Sequence, residues 1–270
     1  MTELGLRQRS VSSMIQTATR RFLDVNVRAS DRIDEALESL CPRKRGWTDF
    51  VTRVLPEAIQ PGTRILDVGS GKRPAIDLAT KRRLGLHVVG LDVDEGELSR
   101  APDGCYDSVI VGDIASADLS GPYDTIISCA VLEHVSNTPD AISNMASALS
   151  PGGTTLHFIP CGLAPFALVN RALGPAFSKR LLFALYPEKK VSQGFEAYYR
   201  RCTPSGMRGL MRNSGLTSIQ VTPYYASDYL KAFAPAYLLE AARQLAVQAC
   251  GFSDLAESFC IQARAPASQA

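Results

Sequence analysis

Between residues 60 and 160 the chain alternates short apolar runs with polar, glycine-bearing tips. Arg64-Ile-Leu-Asp-Val68 runs into Gly69-Ser-Gly71, and His87-Val-Val-Gly-Leu-Asp92 continues to Asp94. Tyr106 to Ile114 closes on Gly112-Asp113, Tyr123 to Cys129 leads into Ala130-Val-Leu-Glu-His-Val135, and Leu149-Ser-Pro-Gly-Gly153 turns into Thr154 to Pro160. Runs this short and this apolar predict strands buried on both faces. The helix-length stretches between them give a β-α alternation, hence an α/β, doubly wound sheet that binds its ligand at the carboxyl edge.

The flanks follow the helical period. Residues 1–60 read as a helical N-terminal cap, with Asp31 as N-cap of a helix through Leu40, a break at Pro42-Arg-Lys-Arg-Gly46, and a second helix from Thr48 to Ile59. Pro204 to Ser214 predicts a helix ended by Gly215, Leu216 to Thr222 a sixth strand, and Ser258 to Arg264 a last one. The expected organisation is a cap over 1–60, a sheet domain over 61–264 with lid insertions at 162–201 and 224–252, and a frayed tail over 265–270.

Composition narrows the partners. A net charge of +2 and a pI near 8.1 are too mild to call for nucleic acid or an anionic membrane. Seven cysteines, an odd number without Cys-x-x-Cys spacing, read as reduced thiols of a cytoplasmic protein. The first residues carry charges of both signs with no apolar run behind them, so no signal peptide is expected. The two most apolar regions, Leu163 to Tyr186 and Tyr229 to Phe252, are interrupted by charges and read as amphipathic rather than membrane-spanning.

The chemistry starts at the first tip. Gly69 and Gly71 remove Cβ where the backbone turns or a ligand comes close, and Pro74 has the ring angle of a first helical turn. A dinucleotide fingerprint would place a third glycine at Pro74, so this loop alone leaves NAD and S-adenosylmethionine open. Asp92, at the end of the second run, stands where an acidic side chain accepts both hydroxyls of an adenosine ribose. From Asp113, a carboxylate and the Ile114 amide could read an adenine edge.

Taken in order, Leu66-Asp-Val-Gly-Ser-Gly71, Gly90-Leu-Asp92, Gly112-Asp-Ile114, Val131-Leu-Glu-His-Val135 and Leu149-Ser-Pro-Gly-Gly153 resemble the motifs of class I S-adenosylmethionine-dependent methyltransferases. Two departures are Arg73, where many members carry a third glycine, and Ser147-Ala-Leu149 before the Pro-Gly-Gly turn. The resemblance implies a Rossmann-like, seven-stranded mixed sheet in the order 3-2-1-4-5-7-6 with the last strand antiparallel. It also implies that Asp67, Gly69, Ser70 and Gly71 hold the methionyl end, Asp92 and Val93 the ribose, Asp113 and Ile114 the adenine, and that Cys129 and Ala130 line the pocket near the sulfonium.

A sulfonium methyl is electrophilic already, so little acid-base machinery is obligatory. His134 is the catalytic candidate, as a base for an alcohol or phenol; its structural alternative is that the Glu133-His134 pair fixes the turn. Some O-methyltransferases bind a divalent metal through Glu-x-x-Glu-His, but Ala130 occupies the first Glu position, so no metal is expected. Tyr198, Tyr199 and Arg200 concentrate rings and charge in the first insertion and are the substrate candidates; the alternative is that the tyrosines pack the lid and the arginine is solvated.

The acceptor expected is a small molecule or a glycan- or lipid-linked one, methylated at oxygen. No Asn-Pro-Pro-Tyr follows the fourth strand and no basic arm is present, which argues against nucleic acid. Two alternatives stand beside this reading. One is a non-catalytic S-adenosylmethionine-binding or protein-interaction module. The other is an enzyme at a membrane surface, resting on the apolar stripe from Phe166 and Leu168 through Leu173 and Phe177 to Leu185.

Overall fold

The computed structural model describes residues 3–174 and 196–267. The apolar stripe beyond Gly174, including Phe177 and Leu185, and the tail from 268 lie outside the described residues. Seven strands, β1 (Arg64–Val68), β2 (His87–Asp92), β3 (Ser108–Val111), β4 (Tyr123–Cys129), β5 (Leu149–Pro160), β6 (Thr217–Tyr224) and β7 (Ser258–Arg264), form one sheet. Their order is β3-β2-β1-β4-β5-β7-β6, as the motif resemblance implies. The first five strands pair in parallel, and β7 runs antiparallel to both β5 and β6.

Successive side chains of a strand point to opposite faces, which is why unbroken apolar runs are needed here. Leu66, Val89 and Ile126 face one core, shared with Ile142 and Met145 of α6 (Thr138–Ser147) and Met207 and Met211 of α8 (Pro204–Asn213). Their neighbours Ile65, Val88 and Ile127 face the other, closed by Phe50, Leu55 and Ile59. Each such buried side chain contributes roughly 1.5–3 kcal/mol relative to exposure. The remaining helices are α1 (Glu3–Leu40), α2 (Gly46–Asp49), α3 (Leu55–Ala58), α4 (Leu78–Leu84), α5 (Glu95–Leu98), α7 (Pro165–Leu173) and α9 (Ala234–Ala249), with a π turn at Phe50–Val54 joining α2 to α3. No described helix is long and apolar enough to cross a membrane.

Two expectations for helix starts are corrected. Asp31 is not an N-cap, because α1 runs unbroken through it. Its carboxylate instead accepts from Lys231 Nζ at 2.9 Å. Three residues on, Asp34 accepts from Lys231 Nζ (3.1 Å), from the Tyr237 hydroxyl (2.6 Å), and from Arg43 and Arg45. Burial works against that charge, but the Tyr237 and Lys231 hydrogen bonds and the Arg45 guanidinium outweigh it and hold the Asp34 pKa below the ordinary carboxylate value. The helix is therefore held to α9 and the loop before it by polar contacts that the local sequence does not reveal.

Pro74 does not start a helix either. The helix α4 begins at Leu78, where Asp77 caps it by accepting from the Thr80 amide at 2.8 Å, and it ends at Gly85 with φ 63°. A side-chain cap at Asp77 satisfies an orphan donor of the first turn. Residues 69–77 are thus a longer loop, and its amide at Ala75 is used elsewhere.

Candidate active site

The tips of β1, β2, β4 and β5 meet at one edge of the sheet, and their loops are tied together by short bonds. Gly69, with φ 67°, donates its amide to the Leu91 carbonyl at 2.6 Å. A Cβ there would lie 2.5 Å from both methyls of Val131, so the loop after β1 lies tightly against the loop after β4. Gly71, with φ 46°, leaves a cradle beside Asp92: a Cβ would stand 3.1 Å from Asp92 Oδ2.

Asp67 is 1% exposed, and its Oδ2 accepts from the Ala75 amide at 2.8 Å. Burial, only partly offset by that amide and by Ser70, pushes its pKa up to about 7. Ser70 Oγ donates to the Asp67 carbonyl at 3.2 Å. The Tyr106 hydroxyl donates toward Ser70 Oγ (2.6 Å) and the Gly71 carbonyl (3.0 Å). Its ring occupies the space that a side chain at Gly90 would take. Tyr106 therefore clasps the loop from the next strand's approach, a role that sequence reasoning missed because the residue reads simply as the start of an apolar run.

Asp92 ends β2 with Oδ1 accepting from the Asp94 amide at 3.0 Å. Burial raises its pKa despite the Asp94 and Val93 amides. Val93 beside it is exposed. Asp113 is exposed and caps the turn that follows, accepting from the Ala115 amide at 2.9 Å. Ile114 is buried, and its carbonyl accepts from Asn144 Nδ2 at 2.9 Å. Asp113 Oδ1 is thus engaged in capping a turn, and Oδ2 is left for other work.

At the end of β4 the chain bends sharply. Cys129 is half-buried, and burial pushes its thiol pKa well up. Ala130 has φ 54°, a left-handed backbone that costs an L-residue roughly 1–2 kcal/mol, and its amide donates to the Phe158 carbonyl at 2.9 Å. Strain of this kind persists where the surroundings over-determine it, and functional sites are where it gathers. The bend sends Leu132–His134 into a 3-10 turn.

That turn is the platform on which the first insertion docks. The Glu133 carbonyl accepts from the amides of Tyr198 (2.7 Å) and Tyr199 (3.0 Å), and Thr138 Oγ1 donates to the Arg200 carbonyl at 3.0 Å. His134 Nδ1 lies 2.8 Å from the Glu196 carbonyl, an acceptor, so that nitrogen carries the proton. Burial lowers the His134 pKa. Tyr199 is buried at φ 52°, edge-on to Phe166 at 6.3 Å, and Phe166 stacks on Tyr229 at 4.3 Å. Tyr198 and the Arg200 side chain are exposed.

The Glu133 side chain is the second residue that sequence reasoning undervalued. It is 3% exposed, and burial pushes its pKa up to about 8. His157, by contrast, is buried in β5 between Ser128 and Thr155 and is pushed down to about 3 by burial, a neutral core residue. Among the described residues no three His, Cys, Asp or Glu side chains gather in a way that could hold a metal ion. A cleft of about 720 Å³ opens elsewhere, between α1 and α2, lined by Asp34, Glu38, Arg43, Arg45 and Asp49 among others. It contains none of the strand-tip residues, and its charges are largely spent on each other.

A family model described as a methyltransferase domain matches residues 42–221, about two thirds of the chain and every strand tip named above. The chain belongs to that family. It is a class I methyltransferase, an enzyme class whose methyl donor is S-adenosylmethionine. The ubiquinone biosynthesis O-methyltransferase of Burkholderia lata is 27% identical to it over 192 residues, covering 68% of this chain and 75% of that protein. An S-adenosylmethionine-dependent methyltransferase from Mesorhizobium loti superimposes with a TM-score of 0.52 at 19% identity, over 82% of this chain and 98% of the other. Phosphoethanolamine N-methyltransferase 2 of Haemonchus contortus gives a TM-score of 0.53 at 18% identity, over 90% of this chain but 57% of that longer one. The last two likenesses establish a shared fold and nothing finer. In this methyltransferase the sheet edge brings Asp67, Gly69, Ser70, Gly71 and Asp92 together, with Cys129 and Ala130 on the adjacent strand.

Proposed function

We propose that this methyltransferase transfers the methyl group of S-adenosylmethionine to a hydroxyl oxygen of a small-molecule acceptor. The oxygen assignment is carried by the relatives matched over about two thirds of the chain, at 25–27% identity, which are named O-methyltransferases. The strand-tip residues fit the donor. Gly71 leaves a cradle beside Asp92 that a Cβ would narrow, and Asp67 and Asp92 are carboxylates whose pKa values burial raises more than their hydrogen bonds lower them, which supports a polar ligand beside them.

In this reading Asp92, with Val93 alongside, takes the ribose hydroxyls. The 69–71 loop with Asp67 takes the methionyl end, Asp113 with the Ile114 amide takes the adenine, and Cys129 and Ala130 line the reacting end. When bound, the donor supplies a methyl carbon already activated by its sulfonium, so the protein's contribution is alignment in a dry site. The helical cap over 1–60 and the insertions at 162–201 and 224–252 select the acceptor, with Tyr198, Tyr199 and Arg200 on the first of them.

Calorimetry with S-adenosylhomocysteine tests the donor site. Binding by wild type and a loss of about 2–4 kcal/mol in Asp92→Ala are expected, since the substitution removes charge-assisted hydrogen bonds worth about 1.5–3 kcal/mol each. Undiminished binding by the variant would overturn the assignment. Transfer from labelled S-adenosylmethionine into a metabolite extract, followed by carbon-13 chemical shifts of the labelled methyl in the purified products, identifies the acceptor atom.

A further inference from the structure

We propose that Glu133 is the proton acceptor of the methyl transfer, taking the acceptor's hydroxyl proton on Oε2 and passing it through His134 Nε2 to solvent. The inference rests on the oxygen reading above and adds to it the residue that handles the proton. Glu133 Oε2 is the one buried side-chain oxygen among the described residues that has no hydrogen-bond partner. A buried polar atom left unpaired costs roughly 1–3 kcal/mol, so a native structure that keeps one calls for a partner from outside the chain.

The surroundings say what that partner is like. Glu133 follows the bend after Cys129 and Ala130, and its charge acts on the phenols of Tyr199 and Tyr229. Phe166, stacked on Tyr229 and edge-on to Tyr199, completes an apolar, ring-bearing wall beside the carboxylate. A hydroxyl on an aromatic ring satisfies both features, with the ring against the wall and the O–H donating to Oε2.

The proton also has a way out. Because His134 Nδ1 carries a hydrogen for the Glu196 carbonyl, neutral His134 presents a bare lone pair on Nε2. That nitrogen is 3.7 Å from Glu133 Oε1, a gap that one water or a small rotation closes, and the His134 side chain is 34% exposed against 4% for Glu133. In the step itself the O–H proton moves to Oε2 and the oxygen bonds to the methyl carbon. The carbon–sulfur bond breaks with its electron pair remaining on sulfur, and Glu133 is restored as its proton leaves through His134.

Burial pushes the Glu133 carboxyl up to about 8, close to working pH, where a base accepts a proton well and still exists partly ionised. The titratable groups facing it are Cys129 from β4, His134 on its own turn, Tyr199 and Cys202 from the docked segment, and Tyr229 from the loop after β6. None of them is a lysine or arginine. A purely structural Glu133 would act through its main-chain carbonyl, which holds Tyr198 and Tyr199 and is untouched in Glu133→Gln.

Two measurements on the full chain decide the matter. In the infrared titration of wild type minus that of Glu133→Gln, which cancels the carboxyl bands of Asp67 and Glu257 that titrate nearby at about 7, a protonated-carboxyl band that disappears around pH 8 is expected. A wild type without that band has Glu133 ionised throughout, and the proposal is overturned whatever the acceptor. In methyl transfer from labelled S-adenosylmethionine to catechol, the wild-type rate is expected to rise through about pH 8. Glu133→Gln is expected to be slower by about a hundredfold or more and to lose that inflection, with S-adenosylhomocysteine affinity within about twofold of wild type. Equal catechol rates in the two proteins overturn the role of Glu133 and leave the oxygen reading intact. Methylation of phenethylamine in place of catechol overturns the oxygen reading itself, an outcome kept separate because the infrared band needs no acceptor.

Discussion

Replacing Gly69 by alanine tests the contact between the loop after β1 and the loop after β4. The backbone at Gly69 has φ 67°, and the new Cβ would meet Val131 Cγ1 and Cγ2 at 2.5 Å, well inside contact distance. The left-handed backbone costs an alanine about 1–2 kcal/mol. Forcing a methyl into an occupied space costs about 1–3 kcal/mol more, giving a total of about 2–5 kcal/mol. Gly71→Ala is the internal control. It has a similar backbone at φ 46°, but its Cβ would approach Asp92 Oδ2 and Glu97 Cβ only to 3.1 Å, so the conformational term dominates. Urea unfolding of Gly69→Ala, Val131→Ala and the double variant separates the two parts. Removing the valine methyls is expected to return about 1–3 kcal/mol as a coupling energy and to leave the backbone term in place. Calorimetry with S-adenosylhomocysteine should follow the same order, with Gly69→Ala weakest. A Gly69→Ala protein as stable as Gly71→Ala, or no coupling to Val131, would refute the reasoning.

Other expectations follow from the same geometry. Tyr106→Phe removes the hydroxyl that clasps Ser70 and Gly71 and should weaken S-adenosylhomocysteine binding by about 0.5–1.5 kcal/mol in calorimetry, with little change in far-ultraviolet dichroism. Asp34→Ala leaves Arg43, Arg45 and Lys231 without their shared carboxylate and should cost about 2–3 kcal/mol in urea unfolding, discounted from a fully buried pair because Arg45 and Asp34 keep some solvent. Asp67 and Glu133 hold their protons more tightly folded, at about 7 and about 8, than unfolded, at about 4. The folded state therefore binds more protons across that window, and the stability of the ligand-free protein should fall as pH rises from about 4 to about 8, by up to about 1.4 kcal/mol per pH unit for each group. Urea midpoints at pH 5 and pH 8 should show a smaller fall in Asp67→Asn than in wild type.

The parts of the fold that were legible in the sequence are those whose physics is local. A strand buried on both faces must be apolar without interruption, so Ile65 to Val68, Val88 to Leu91 and Ile126 to Ile127 announced themselves. The acidic residues at their ends, Asp67 and Asp92, stood out against that background. The misplaced helix starts were decided at a distance. Asp31 looks like a cap until Lys231, two hundred positions on, is folded against it, and Pro74 looks like a helix start until Asp67 has taken the Ala75 amide. Glu133 and Tyr106 were hidden for a related reason. The environment that lifts one and the loop that the other clasps come from separate stretches of chain, and no spacing rule connects them.

The antiparallel β7 has a consequence for how the insertion between β6 and β7, proposed above to select the acceptor, can change. Each connection between the parallel strands must carry the chain back across a face, and those from β1 to β2, β2 to β3 and β4 to β5 do so with a helix, α4, α5 and α6. The link from β6 to β7 is free of that duty, because both ends of it, Tyr224 and Ser258, are paired neighbours on the site edge. Such a hairpin can lengthen or shorten without uncovering the core, since loop closure grows only slowly with length. Tyr229 rides on it, and so does α9, which grips α1. The stretch of chain at the site edge that is freest to change is thus the one whose length the sheet does not constrain.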